Sequence, residues 1–115
     1  MGENANKHGD RTPAVFQPPH KTSLVIISSI GDKHNFQIPT QELSLNMTHH
    51  VDVDQSYFGN GVYKVNVYLN GTKIASHVNE NAQQFYNIQV WASNMWREVP
   101  SNPPILSNLS FVNFL

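Results

Sequence analysis

Residues 62–76 read VYKVNVYLNGTKIAS. Side chains alternate over the first eight positions, as they do on a strand: Val65, Val67 and Leu69 point one way, Lys64, Asn66 and Tyr68 the other. Asn70-Gly71 is the preferred pair for a two-residue turn that needs positive φ at both positions. Thr72 to Ser76 then runs back. The stretch is a β-hairpin, and backbone geometry calls for Asn70 and Gly71 before any chemistry does.

The same signals continue on both sides. Upstream, Thr12–Phe16 has the form of a short edge strand, since proline is tolerated at such edges. Pro18-Pro19-His20 breaks it. Leu24–Ser28 is a continuous apolar, β-branched run of strand length. Gly31-Asp32 marks a turn, and Phe36 and Ile38 alternate with polar residues. Leu43–Leu45 and the strictly alternating His50–Asp54 follow, before the turn Gly59-Asn60-Gly61. Downstream, Phe85–Ala92 sets Ile88, Val90 and Ala92 on one face and Asn87, Gln89 and Trp91 on the other. A Pro-rich loop, Pro100 to Pro104, precedes a last strand over Leu106–Phe114. No segment has helical period. About eight or nine short strands with turn signals between them imply an all-β sandwich or barrel. Residues 1–11 are polar and aperiodic, a flexible N-terminal tail, and 12–115 form one β-sandwich domain with no linker inside.

Composition narrows the function classes. The chain has 115 residues, enough for one domain, with 39% hydrophobic and 13% charged residues. Polar amides replace the missing charge: there are 14 Asn. Asn, Ser, Val and aromatics together fit an all-β chain, often an extracellular one. A net charge of −1 gives no basic field for nucleic acid or an anionic membrane. The absence of cysteine excludes a disulfide framework and thiolate metal sites. No apolar run reaches the ~20 residues of a membrane span, and MGENANKHGDR has no signal-peptide pattern.

The run from Tyr57 to Trp96, YFGNGVYKVNVYLNGTKIASHVNENAQQFYNIQVWASNMW, followed by ILSNLSFVNF from Ile105, resembles the C-terminal part of concanavalin A-like, laminin-G-like jelly-roll domains. HVDVDQ from His50 and GDRTPAVF from Gly9 resemble earlier strands of that pattern. The resemblance covers roughly residues 9–115 and lies in strand-building residues. It implies an antiparallel β-sandwich and an extracellular setting. Two departures stand out. The chain is shorter than such modules, so the sandwich is expected to be incomplete, with its first strands missing. Thr48 also stands where such modules often carry an aromatic. An incomplete sandwich leaves a sheet edge unpaired, to be covered by the N-terminal tail or by a second copy.

Several residue groups carry candidate chemistry. Tyr68, Asn66, Gln89 and Trp91 face away from the core side and would form an aromatic-amide patch if their strands are neighbours. Such a patch suits sugars, with rings stacking on C–H faces and amides bonding hydroxyls. The plainer reading is aromatics packed on each other. Trp96 and Asn94 stand at the rim, where Trp96 is otherwise a loop plug. His50, Asp52 and Asp54 share one strand face, but neighbouring outward positions diverge and no fourth metal ligand is evident. Asp10 and Asp32 are the acids a calcium ion would use, although the chain has no Asp-rich loop and calcium wants about six to eight oxygens. No cofactor is expected. Of the sequons Asn46-Met47-Thr48, Asn70-Gly71-Thr72 and Asn108-Leu109-Ser110, the one at Asn70 sits on a hairpin tip, where a glycan fits.

Catalysis has little support. There is no Cys nucleophile, no G-x-S-x-G, no P-loop and no H-E-x-x-H. The expectation is a non-catalytic recognition or adhesion module that binds glycan or extracellular protein through an aromatic-amide sheet face. The alternatives are an assembly protein pairing through an open sheet edge as a homo-oligomer, and a remnant of a glycoside hydrolase or lyase built on Asp52 and Asp54.

Overall fold

A computed structural model describes residues 12–86, 90 and 104–112. The described chain is all-β: β1 (Ala14–Phe16), β2 (Val25–Ile30), β3 (Lys33–Pro39), β4 (Val51–Gly59), β5 (Val62–Leu69) and β6 (Thr72–Asn79). They form two antiparallel three-stranded sheets, ordered β1-β2-β3 and β4-β5-β6. No helix of the described chain is long and apolar enough to cross a membrane.

Turn chemistry sets the outline. The β2–β3 turn uses Gly31 at φ 57°, and the β5–β6 turn places Asn70 at φ 51° and Gly71 at φ 80°. Both central residues of that second turn are left-handed, the conformation that Asn-Gly supplies at least cost. Gly59 (128°), Asn60 (51°) and Gly61 (76°) carry the chain from β4 to β5.

The sheets meet through one apolar cluster: Ile26, Ile30 and Ile38 from one, Val65 and Val67 from the other. Leu24, Phe36, Val53 and Ala75 pack around it. Burying such side chains supplies about 1.5–3 kcal/mol each, which makes this the main force holding the sheets face to face. At the edge of the cluster the Phe36 and His77 rings meet edge-on, 4.7 Å between centroids.

A polar clamp adds orientation to this greasy contact. Asn79, the last residue of β6, is 2% exposed. Its Nδ2 donates to the Ser29 carbonyl (3.3 Å) and to Gln55 Oε1 (2.9 Å). Its Oδ1 accepts from the amides of Gly31 (2.9 Å) and Asn81 (3.3 Å). Two donors and two acceptor sites are the whole capacity of an Asn amide, and all are engaged. The amide thereby joins the β2–β3 turn to β4 and β6. Ser29 stands opposite a bulge in β3: between the pairs Ser28–Phe36 and Ile30–Lys33 it alone faces two residues, His34 and Asn35. The buried Ser29 hydroxyl donates to the His34 carbonyl at 3.0 Å.

Past the ends of β2 and β3 the ladder continues through side chains. The Leu24 amide donates to Thr40 Oγ1 and the Thr40 amide to the Leu24 carbonyl, both at 2.9 Å. Thr22 donates to Glu42 Oε2 from its amide (2.9 Å) and from its hydroxyl. The Thr22 hydroxyl first, and its amide second, hold the Glu42 carboxyl below its ordinary value of 4.5.

The hairpin of residues 62–76 is as the alternation implies: Val65, Val67 and Leu69 are buried and β5 has the expected bounds. Other expectations need correction. The described residues hold six strands, fewer than the eight or nine expected. Leu43–Leu45 is irregular, being too short and without a partner strand. Residues 106–112 are irregular and exposed, although their sequence alternates like a strand. Phe85 and Tyr86 are likewise irregular; the rest of the expected strand from Phe85 to Ala92, apart from Val90, lies outside the described residues, as do the tail 1–11 and Asn113 and Phe114. Val51 and Val53 are half-buried rather than buried, because β4 stands at a sheet edge.

Two outcomes follow. Asn79→Ala strands the Gly31 amide and the Ser29 carbonyl in a dry site, so chemical denaturation should show a loss of about 2–3 kcal/mol. Glu42, with its folded value depressed, stabilises the loop fully above pH 4.5, and that contribution disappears as pH falls through the lower folded value. An NMR titration of its carboxyl should give a midpoint below 4.5; a midpoint at 4.5 would show that Thr22 does not hold it.

Candidate functional site

The outer face of β4–β5–β6, turned away from the core, carries the polar side chains of three strands in register. Across its middle, Asp54 on β4 stands opposite Asn66 on β5, and Asn66 opposite Ser76 on β6. Asn66 Nδ2 donates to Asp54 Oδ1 at 2.7 Å and to Ser56 Oγ at 3.1 Å. Its Oδ1 accepts from the Ser76 hydroxyl at 2.8 Å. The row is a continuous hydrogen-bonded bar, and the charge-assisted bond to Asp54 is its strongest link. Asn66 is only 4% exposed, so it braces the face from beneath while Asp54 and Ser76 stand exposed on either side.

Rows above and below bring aromatic rings with cations. Asp52 pairs with Tyr68, and Tyr68 with Lys73, whose ammonium lies 5.4 Å from the ring centroid. His50 Nε2 lies 3.1 Å from Asp52 Oδ2, both side chains well exposed. On the other side Ser56 pairs with Lys64, whose ammonium sits 3.6 Å from the Phe58 ring centroid. The two carboxylates are thus interleaved with two lysines. The face offers acceptors at Asp52, Asp54 and Ser76, donors at Lys64 and Lys73, and ring surface at Tyr68 and Phe58.

This register depends on a bulge. A plain two-residue hairpin at Asn70-Gly71 would set Ala75 opposite Asn66. The extra residue Ile74 shifts β6 by one, so Val67 meets Ala75 and Asn66 meets Ser76. The shift puts a small apolar residue in the core and a hydroxyl on the Asn66 amide. Alternation already sets Lys64 on this side; Ser76, Ser56, Lys73 and Phe58 are the members of the face that it does not single out. Only the register identifies them, and the sequence does not mark the bulge.

Of the residues singled out in the sequence, Tyr68 is on this face, half-buried, and Asn66 lies beneath it. Gln89, Trp91, Asn94 and Trp96 lie outside the described residues, as does Asp10. Asp32 is exposed at the β2–β3 turn, remote in sequence from other acids. Among the described residues no three His, Asp or Glu side chains gather as a metal would require. His50 and Asp52 engage each other while Asp54 engages Asn66.

Asn70 is a staple as well as a turn residue. Its Oδ1 accepts from the His50 amide at 2.9 Å, and its own amide donates to the His50 carbonyl at 2.8 Å. Its Nδ2 donates to His49 Nδ1 at 3.2 Å, while His49 Nε2 donates to the Ser44 carbonyl at 2.9 Å. A glycan on Asn70 would leave Nδ2 one hydrogen, enough to keep the His49 bond.

No family model, curated protein or solved structure matches this chain.

The bar has a mutational signature. Asn66→Ala removes every bond that ties Asp54, Ser56 and Ser76 together and should lower stability by about 1–3 kcal/mol, whereas Ser76→Ala removes one exposed donor and should cost about 0.5–1 kcal/mol. Equal losses in parallel urea titrations would show that Asn66 does not brace the face.

Proposed function

We propose that the chain is a non-catalytic recognition module, a sandwich of concanavalin A-like, laminin-G-like type working outside the cell, and that it binds glycan on the outer face of β4–β5–β6. The observation that carries this reading is the bar Asp54–Asn66–Ser76 with Tyr68 in the next row. Sugars need fixed acceptors for hydroxyl donors, fixed hydroxyl or ammonium donors, and a ring to stack on. Here the acceptors are held in place before any ligand arrives, which spares ordering cost on binding. Trp91 and Gln89, which alternate onto the polar side of the next expected strand, would widen the platform, with Trp96 and Asn94 at its rim.

A non-catalytic role fits the state of the carboxylates. A glycosidase acid keeps its proton in an apolar pocket. Asp52 and Asp54 are exposed and hydrogen-bonded as acceptors, the setting of a binding carboxylate.

The test is glycan-array binding followed by calorimetry on the best ligand, with Tyr68→Ala and Asp54→Ala. Each should weaken binding by about threefold to tenfold or more in a chain that still melts cooperatively. A folded chain that binds no glycan, or binds equally well with both substitutions, would overturn the reading.

A further inference from the structure

Among the described residues β4 pairs on one side only. Its partner is β5, and among the described residues no strand pairs with its other edge. Both main-chain groups of His50 face Asn70 at the mouth of this ladder. Antiparallel alternation then directs the main-chain groups of Asp52, Asp54 and Ser56 toward β5, and those of Val51, Val53 and Gln55 toward the open side. Beside β4 lies a cavity of about 1070 Å³, walled by residues 52–57 of β4, residues 82–85 and residues 110–112. That is at the top of the ~300–1,000 Å³ range of small-molecule sites, and its wall runs along six consecutive residues of β4, as an extended peptide needs.

The chain also holds a segment with the matching need. Residues 105–112 read ILSNLSFV, and their five large apolar residues are 52–95% exposed. The segment is uncharged, and on a strand Ile105, Ser107, Leu109 and Phe111 fall on one side and Leu106, Asn108, Ser110 and Val112 on the other, with Asn108 and Ser110 at the centre of the second side. Laid along β4, the first set extends the half-buried Val51 and Val53, and the second meets Asp52, Asp54 and Ser56 with hydrogen-bond donors. β4 itself is a poor partner for a second β4. Antiparallel self-pairing centred on Val53 would set Asp52 against Asp54 of the other strand, like charges directly opposite.

We propose that the free edge of β4 is a strand-acceptor site, and that its occupant is the Ile105–Val112 segment of a second copy of this chain. Within one chain only Ser110, Phe111 and Val112 of the segment reach the cavity wall, while residues 105–109 stand in solvent away from it. A segment arriving from a second copy is free to align with the whole edge. About eight residues of strand span about 26 Å, close to the length of the nine-residue β4. Asn108, at φ 53°, must straighten as the segment docks. Reciprocal exchange closes a two-fold dimer, with two main-chain ladders and two apolar rows as its interface. The pairing uses the edge of the sheet, so it stands independently of glycan binding on the outer face.

Sedimentation of the unmodified chain without glycan, across a concentration series, tests this directly. A mass that rises from monomer to dimer is expected, and Phe111→Asp should abolish the rise while its chain still melts cooperatively, at a temperature that no longer depends on concentration. The chain has no cysteine, so disulfide trapping reports the contact without background. A chain with Ser56→Cys, mixed with one carrying Asn108→Cys or Ser110→Cys, should give a cross-linked heterodimer. A chain monomeric up to about 1 mM overturns the proposal. So does dimerisation indifferent to Phe111→Asp, cross-linking of Ser56→Cys only to itself, or cross-linking of the doubly substituted chain only within one molecule, which would make its own segment the occupant.

Discussion

The saturated amide of Asn79 is the constraint on which the arrangement of the two sheets depends. Apolar contact between Ile26, Ile30, Ile38, Val65 and Val67 draws the sheets together but tolerates sliding. The Asn79 amide does not. Its four partners lie in β2, on the β2–β3 turn, on β4 and in the turn after β6, and each bond has a fixed direction. A slip of one residue would leave a buried amide unpaired, which costs about as much as burying one of those apolar side chains supplies. The clamp therefore fixes which face of β4–β5–β6 is inside, and so which face is left to do chemistry.

β5 divides the work between its two sides. Val65 and Val67 close the core, while Asn66, between them in sequence, spends its amide on the opposite face. A buried polar residue flanked by buried valines is stable here because the edge strands supply Asp54, Ser56 and Ser76 at the right height. The outer face is rigid for the same reason that the inner one is dry: both are anchored by the middle strand. Function placed on such a face costs little ordering when a ligand binds.

Much of this was legible in the sequence, and the rest was hidden by identifiable physics. Alternation and Asn-Gly located β5, its hairpin and the side on which Val65, Val67 and Leu69 are buried, because those signals are local. The partner of Asn66 was not legible, since it depends on the one-residue bulge at Ile74, and bulges leave no reliable mark in composition. The clamp was hidden for a different reason: Asn79 and Ser29 are 50 residues apart, and nothing local distinguishes this Asn from the other amides. Residues 106–112 show the reverse case. Their alternation is sound, yet a strand needs a neighbour, and none of the described residues supplies one.

The central claim is that one middle strand is wired on both faces, through Asn66 outside and through its neighbour's Asn79 inside. The most direct measurement is hydrogen exchange of the side-chain amide protons of these two residues, resolved by NMR in the unliganded chain. The account requires both pairs to exchange far more slowly than those of exposed Asn60, with Asn79 the slowest of all. Exchange of Asn79 as fast as Asn60 would mean that the clamp does not form, and the assignment of inner and outer faces would fall with it.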